Sequence, residues 1–184
     1  MADLMASIDP HATHAEALPG ELIAAIGDVY LPAGLQVTKA PLHEAESSEY
    51  GAARFSLDGR PIVFRVAKTT PTKVGQFVTL WKRPAPDGVI APLDIEDGID
   101  VVVVSVCSES QRGQFVFDRK ILVAKGVMAI NGKGGKRAFR VYPPWVKTVA
   151  AQAVKTQQWQ LRYFLSFAED GRADCARVRR LFEV

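Results

Sequence analysis

The sequence is poor in the residues from which most catalytic and metal sites are built. Among its 184 residues are three histidines and two cysteines, Cys107 and Cys175. The cysteines form no Cys-X-X-Cys motif, and His11 and His14 lie in a polar leader at residues 1–18. This pattern predicts no zinc site, no disulfide partner and no hydrolase with a Ser-His or Cys-His pair. Cys107 ends an apolar run, which predicts a small buried side chain.

Long apolar segments are also absent. The longest apolar run, residues 99–107, is interrupted by Asp100 and Ser105, and it is far shorter than the roughly 20 residues of a membrane-spanning helix. The first eighteen residues lack the cationic start and apolar segment of a secretory signal. We therefore expect a cytoplasmic protein without a membrane partner, in a compartment where both cysteines stay reduced.

Acidic residues are missing from two long stretches of the chain. None occurs at residues 59–86, the first acid-free stretch, or at residues 119–168, the second, although the chain has 20 acids in all. The two stretches carry six and ten of the 23 basic residues, with aromatic residues between them. A basic surface with aromatic platforms is typical of proteins that hold single-stranded nucleic acid without strict sequence reading.

This charge map indicates which residues would contact a nucleic acid or another polyanion. The predicted phosphate contacts are Arg65, Lys68, Lys73, Lys82, Arg83, Lys136, Arg137 and Arg140, and the predicted stacking residues are Trp81 and Trp145. Arg65 stands within a strand pattern that is otherwise apolar, so its charge requires a partner or a ligand.

The periodicity of apolar residues predicts one α+β domain at residues 19–168, followed by a charged tail at 169–184. We expect a mixed, mostly antiparallel sheet of about five to six strands flanked by helices. The turn Asp58-Gly59 predicts a hairpin, and the valine run after residue 100 predicts a central strand buried on both faces. Helices are predicted at 19–31, 118–125 and 146–168, with a short one within the polar segment 38–50.

Two loops resemble ligand sites but lack the required spacing. The acids at 94, 96, 97 and 100 do not follow a calcium-loop pattern, which favours a solvated acidic loop. The segment 131–136, Asn-Gly-Lys-Gly-Gly-Lys, has Ile130 where a phosphate loop needs glycine and Arg137 where it needs Ser or Thr. We expect a flexible loop that touches phosphate without hydrolysing nucleotides.

Several segments resemble the bacterial MepB-like family, and the resemblance extends over about residues 20–167. They are Glu49-Tyr50, FRVAKTTPTK (64–73), GQFVTLWKR (75–83), GKRAFRVYPPW (135–145) and KTQQWQ (155–160). The resemblance implies an intracellular bacterial α+β protein with a fold related to PD-(D/E)xK nucleases and with nucleic-acid binding. The founding member is encoded beside a multidrug efflux pump and its repressor, and the family supplies no catalytic residues to transfer.

Three functions remain open at this point, and the first, a nucleic-acid-binding protein without catalysis, is favoured over an enzyme. The second is a metal-dependent phosphodiesterase, which needs two acids and a lysine on adjacent strands. Glu49 and Lys68 are its candidate catalytic residues, but Val66 stands where a metal-binding acid would precede Lys68. We expect no cofactor unless this alternative holds. The third is a binder of small amphipathic drug-like ligands, suggested by the efflux neighbourhood of the family.

Overall fold

The computed structural model of the chain describes residues 17–183. Its helices are α1 (Gly20–Ala25), α2 (Arg119–Ala124), α3 (Ala151–Gln160) and α4 (Cys175–Phe182). Its strands are β1 (Val37–His43), β2 (Ala53–Leu57), β3 (Arg60–Val66), β4 (Lys68–Thr70), β5 (Lys73–Thr79), β6 (Trp81–Lys82), β7 (Ala91–Pro92), β8 (Val101–Cys107), β9 (Arg112–Asp118), β10 (Ala138–Val141) and β11 (Phe164–Phe167). Apart from Ala17 and Leu18, the leader predicted for residues 1–18 lies outside the described residues.

The main sheet has six strands in the order β1-β2-β3-β8-β9-β11. Its neighbours are antiparallel except for the parallel pair β3–β8. A three-stranded sheet of order β10-β5-β4 and the short pair β6–β7 complete the strands. The α+β prediction, with a mostly antiparallel sheet flanked by helices, is therefore confirmed. The relation to PD-(D/E)xK nucleases stays a prediction.

The central strand β8 divides the core into two layers. Val101 and Val103 pack into the layer that contains residues of α1 and α4. Val102 and Val104 pack into the other layer, together with residues of α2, β5 and β10. Full burial of each valine stabilises the fold by about 1.5–3 kcal/mol. A strand buried on both faces was predicted and is confirmed, but Cys107 at its end is exposed, which corrects the expectation of a buried thiol.

The hairpin between β2 and β3 also agrees with the sequence. Asp58 and Gly59 adopt φ of +47° and +77°, which is the pair of positive angles that a two-residue type I′ turn requires. The Asp58 carboxylate additionally accepts a hydrogen bond of 3.0 Å from the backbone N–H of Gln36. The turn therefore sets the register of both strands.

Two predicted helices are wrong in part. The first part of the polar segment 38–50 belongs to strand β1, which pairs with β2 and has mostly exposed side chains. The short helix predicted within this segment is limited to the single 3-10 turn Ser48–Tyr50. The helix predicted for 146–168 is limited to α3, and the chain then forms strand β11 along β9. Phe164 and Leu165 are buried by that pairing. Their spacing suits an apolar helix face equally well, so the periodicity did not distinguish the two structures.

The segment predicted as a charged tail contains α4. Asp174 caps this helix by accepting a 2.6 Å hydrogen bond from the N–H of Arg177. Val178 and Phe182 are buried in the first core layer, and the Arg60 guanidinium donates to the carbonyl of Phe182. The charged residues of α4 face outward while this apolar pair faces the sheet, so the segment is part of the domain.

Two further observations concern the cysteines and the possibility of a membrane-spanning helix. Cys107 and Cys175 are both free. Within residues 17–183, no helix has the length and apolar character needed to cross a bilayer.

Candidate anion-binding site

The structure places Arg65 in the protein interior. Its side chain is 1% exposed, and its Nη1 donates to Glu44 Oε2 at 2.7 Å and to the carbonyl of Phe64 at 2.8 Å. Burial lowers the pKa of Arg65, and the Glu44 carboxylate opposes that shift. The partner that the sequence required is thus Glu44, and an external phosphate cannot reach this guanidinium. Arg65 is therefore removed from the predicted phosphate contacts.

Most other cations of the first acid-free stretch are paired with acids from outside it. Lys82 forms an ion pair with Asp97, and Arg83 Nε lies 2.6 Å from Glu46. Arg83 also lies over the ring of Trp81, 5.6 Å from its centroid, so one face of this predicted stacking residue is occupied. Lys73 is exposed. Counting charges along the sequence could not predict these ion pairs, because the acid of each pair is remote in sequence and is brought to its cation only by the fold.

The two candidate catalytic residues do come together. Lys68 Nζ lies 3.7 Å from Glu49 Oε2, with 45% and 71% of the two side chains exposed. Within residues 17–183, no three His, Cys, Asp or Glu side chains are grouped so that they could hold a metal ion.

The second acid-free stretch forms a concave surface. The end of α2, strand β10 and helix α3 enclose a cleft of about 400 Å³. Its lining residues are Lys125, Val127, Lys136, Ala138, Phe139, Arg140, Tyr142, Gln152, Lys155, Thr156, Trp159 and Gln160. Four of them are cations, and no Asp or Glu in the part of the chain that the structure describes lines the cleft. We call this site the basic cleft.

Two of the predicted residues, Lys136 and Arg140, lie in the basic cleft, and two of its cations were not predicted. Lys125 and Lys155 belong to the same acid-free stretch. Lys155 also precedes Trp159 by four positions, which places both on one side of a helix. This four-residue spacing could have identified Lys155 as a contact beside an aromatic ring. Neither Lys136 nor Lys155 has an acidic partner within residues 17–183.

Gln160 holds the two walls of the basic cleft together. Its Nε2 donates to the carbonyl of Arg140 at 2.9 Å, and its Oε1 accepts from the N–H of Tyr142 at the same distance. The amide thereby satisfies one backbone group of β10 and one of Tyr142, which follows it, from a position on α3 where it is fully buried. A buried amide with both ends bonded specifies one geometry, so the cleft is preformed.

Arg140 is fixed at the rim of the basic cleft. Its Nη2 donates to Thr70 Oγ1 at 2.7 Å, and its Nη1 donates to the carbonyl of Gly75 at 3.2 Å. These bonds hold the charge in place without neutralising it. Arg137, the neighbouring predicted contact, is exposed and does not line the cleft.

Aromatic side chains form part of the lining. Trp159 packs on Phe117 at 5.4 Å between ring centroids, and Lys125 Nζ lies 5.6 Å from the Trp159 ring. The Tyr142 ring lies against Gly75, where an added Cβ would come within 2.7 Å of it. Trp145, a predicted stacking residue, packs edge-on against Phe164 and does not line the basic cleft. Tyr142 and Trp159, together with Phe139, are thus the aromatic residues that line the site.

Asp94 fixes the glycine-rich loop that leads to Lys136. Its Oδ2 accepts from the N–H of Gly132 at 2.7 Å, and its Oδ1 accepts from the N–H of Glu96 at 3.1 Å. These backbone hydrogen bonds lower the pKa of Asp94. The residue is buried, so the prediction of a fully solvated acidic loop is wrong for Asp94, and the loop 131–136 is anchored at its base.

We expect Asp94→Asn to lower the melting temperature at neutral pH, because one of the two bonded N–H groups then faces an NH2 group and the other keeps only a neutral acceptor. A lowered pKa means that this stabilisation is complete above the ordinary value of 3.8 and is lost as the pH falls through the folded-state value. The difference from the wild type should therefore shrink below about pH 4. Thermal unfolding between pH 7 and pH 3 measures it, with the exposed Asp87→Asn as control. An equal difference at both pH values would contradict the role of the charge.

Comparison with known proteins shows the family to which this chain is related. The MepB-like family model matches residues 44–166, more than half of the chain and the part that contains the basic cleft. The crystal structure of MepB is similar to this chain at 38% sequence identity and a TM-score of 0.66, covering 70% of this chain and 85% of that one. A search of curated proteins found no match. The chain belongs to the MepB-like family.

Proposed function

We propose that the protein binds single-stranded nucleic acid in the basic cleft, with little sequence specificity and without cutting it. The observation that carries the proposal is the lining of the cleft, in which four cations converge without a described acid among them. Cations in a concave surface attract phosphate more strongly than the same cations on a flat one, because the low-dielectric walls focus the field. Cytoplasmic location and a scaffold related to PD-(D/E)xK nucleases are part of the same proposal.

The size and chemistry of the basic cleft favour an unpaired strand. About 400 Å³ lies within the range of pockets that enclose a small ligand, so a nucleotide can enter only when its base is not held in a duplex. Tyr142 and Trp159 present ring surfaces beside the cations, and every base has a face that can stack on such a ring. These contacts do not read base edges, which accounts for the low specificity.

The charged lining also bears on the alternative of a small amphipathic drug-like ligand, because it disfavours any such ligand that is a cation. Lys125, Lys136, Arg140 and Lys155 would repel a positively charged amphipathic compound. The electrostatics of the cleft therefore favour an anion.

Titration of a fluorescein-labelled ten-residue oligothymidylate, followed by anisotropy at about 50 to 200 mM NaCl, tests the proposal. We expect affinity to fall steeply with salt, because each phosphate contact releases counterions. Lys125→Ala and Lys155→Ala should each weaken binding roughly fivefold, equivalent to about 1 kcal/mol, and each should reduce the salt slope by about 0.7. An oligoadenylate of equal length should bind with similar affinity.

The matched control is Lys39→Ala, which removes the same charge from edge strand β1 and does not line the basic cleft. If Lys39→Ala weakens binding as much as Lys155→Ala, the interaction is a response to net charge and the cleft is not the site. An affinity that stays constant over the salt range would contradict the proposal directly. Magnesium-dependent cleavage of the oligonucleotide, abolished by Glu49→Gln, would instead establish the phosphodiesterase alternative.

A further inference from the structure

A row of side chains leads from the basic cleft across the three-stranded sheet. The backbone register pairs Arg140 on β10 with Phe77 on β5, and Phe77 with Lys68 on β4. Residues that face each other across strands project to the same side of a sheet. Arg140, which lines the cleft, lies 5.7 Å from the centroid of the Phe77 ring. The row is therefore continuous with the cleft at Arg140.

Tyr50 extends the row on its far side. Its ring packs edge-on against Phe77 at 6.1 Å between centroids, and Lys68 Nζ lies 4.7 Å from the centroid of the Tyr50 ring. The order along the surface is thus cation, two aromatic rings, cation. Lys68 is exposed and Tyr50 and Phe77 are partly so, which leaves this surface open to a ligand.

We infer that the basic cleft and this row form one track for a strand of several nucleotides, so that the ligand is an oligonucleotide and not a free nucleotide. The inference rests on the proposed function. The row crosses two strand spacings, about 10 Å, which corresponds to about three nucleotides at the rise of a stacked strand. Together with one nucleotide in the cleft, the track accommodates about four. Tyr50 stacks a base, and Lys68 contacts a phosphate at the end of the track.

Glu49 modulates the far end of the track. Its carboxylate lies 3.7 Å from Lys68 Nζ, and both side chains are largely in solvent. An exposed ion pair contributes at most about 1 kcal/mol, so a phosphate can displace Glu49 from Lys68. The carboxylate nevertheless repels an approaching strand. Its removal should strengthen the binding of strands that reach Lys68 and leave shorter strands unaffected.

A comparison of oligothymidylates of two and eight residues tests the track. The dinucleotide, measured by competition, occupies the basic cleft and the adjoining position beside Arg140, and the octanucleotide reaches Lys68. We expect Lys68→Ala to weaken octanucleotide binding roughly fivefold and Glu49→Gln to strengthen it by a factor of roughly two to five. Neither variant should change dinucleotide affinity, whereas Lys155→Ala should weaken both ligands. Both track variants alter exposed side chains, and their melting temperatures verify that they fold.

The outcomes separate the track from the proposed function. If Lys155→Ala weakens both ligands while Lys68→Ala and Glu49→Gln leave octanucleotide affinity unchanged, the cleft is the whole site and the track is wrong. If the wild type binds neither oligonucleotide, both proposals fail. If Lys68→Ala weakens the dinucleotide as much as the octanucleotide, Lys68 belongs to the primary site and the order of contacts along the track is wrong.

Discussion

Glu44→Gln is expected to destabilise the protein by about 3 kcal/mol. Arg65 is 1% exposed and has Glu44 as its ion-pair partner at 2.7 Å, and its Nε has no hydrogen-bond partner within the described residues. A neutral amide in place of the carboxylate would leave a buried guanidinium charge without compensation. Arg54 also pairs with Glu44, so one substitution affects two cations. Urea unfolding at pH 7 measures the change in the free energy of unfolding.

Glu46→Gln is the matched control for this experiment. It removes the same charge from the same segment, but Glu46 and its partner Arg83 are exposed, so the expected change is below about 1 kcal/mol. The double variant Glu44→Gln/Arg65→Met should recover much of the lost stability, because an apolar side chain of similar length tolerates burial without a counter-ion. Equal effects of Glu44→Gln and Glu46→Gln would mean that Arg65 is solvated, and would restore it as a candidate phosphate contact.

Phe182→Ala should destabilise the protein by about 3–5 kcal/mol. Phe182 is 2% exposed and packs edge-on against Tyr30, with 5.3 Å between ring centroids. Its truncation leaves a cavity between α4 and the main sheet that the surrounding β-strands cannot fill by relaxing. The same urea titration measures the loss, and a chain ending at residue 168 should show a larger one.

The control for the C-terminal helix is Arg180→Ala, which changes an exposed residue two positions away. Its expected effect is within about 0.5 kcal/mol. If Phe182→Ala were as mild as Arg180→Ala, the segment after residue 168 would contribute little to the stability of the domain. A large loss confined to Phe182 would instead establish α4 as an integral part of the first core layer.

These two experiments concern places where local patterns and the fold disagree. The charges of α4 dominate its composition, and only its packing on the sheet reveals Val178 and Phe182 as core residues. Arg65 is similar: its strand pattern shows that the charge needs a partner, but Glu44 lies 21 positions earlier and enters through the end of β1. Sequence periodicity reports which face a residue occupies and does not report what covers that face.

The basic cleft was partly predictable for the same reason. In the second acid-free stretch Arg119 pairs with Asp100, but the four cations of the basic cleft have no acidic partner within residues 17–183. In the first stretch, Glu44, Glu46, Glu49 and Asp97 reach the cations through the fold. Lys125 and Lys155 were overlooked because their place beside β10 depends on how the end of α2 and helix α3 pack in the fold.

The sequence by itself determined the scarcity of histidine and cysteine and the position of the two acid-free stretches. The valine run of β8 and the Asp58-Gly59 turn likewise determined the centre of the sheet. Both kinds of feature depend only on composition and on residues that are neighbours in the sequence, so the sequence alone predicts them. Only the tertiary structure decided which cations form ion pairs with acids and which come together in the basic cleft. Charge pairing depends on distances of a few ångströms between segments remote in sequence, and only the packing of α3 against β10 sets those distances.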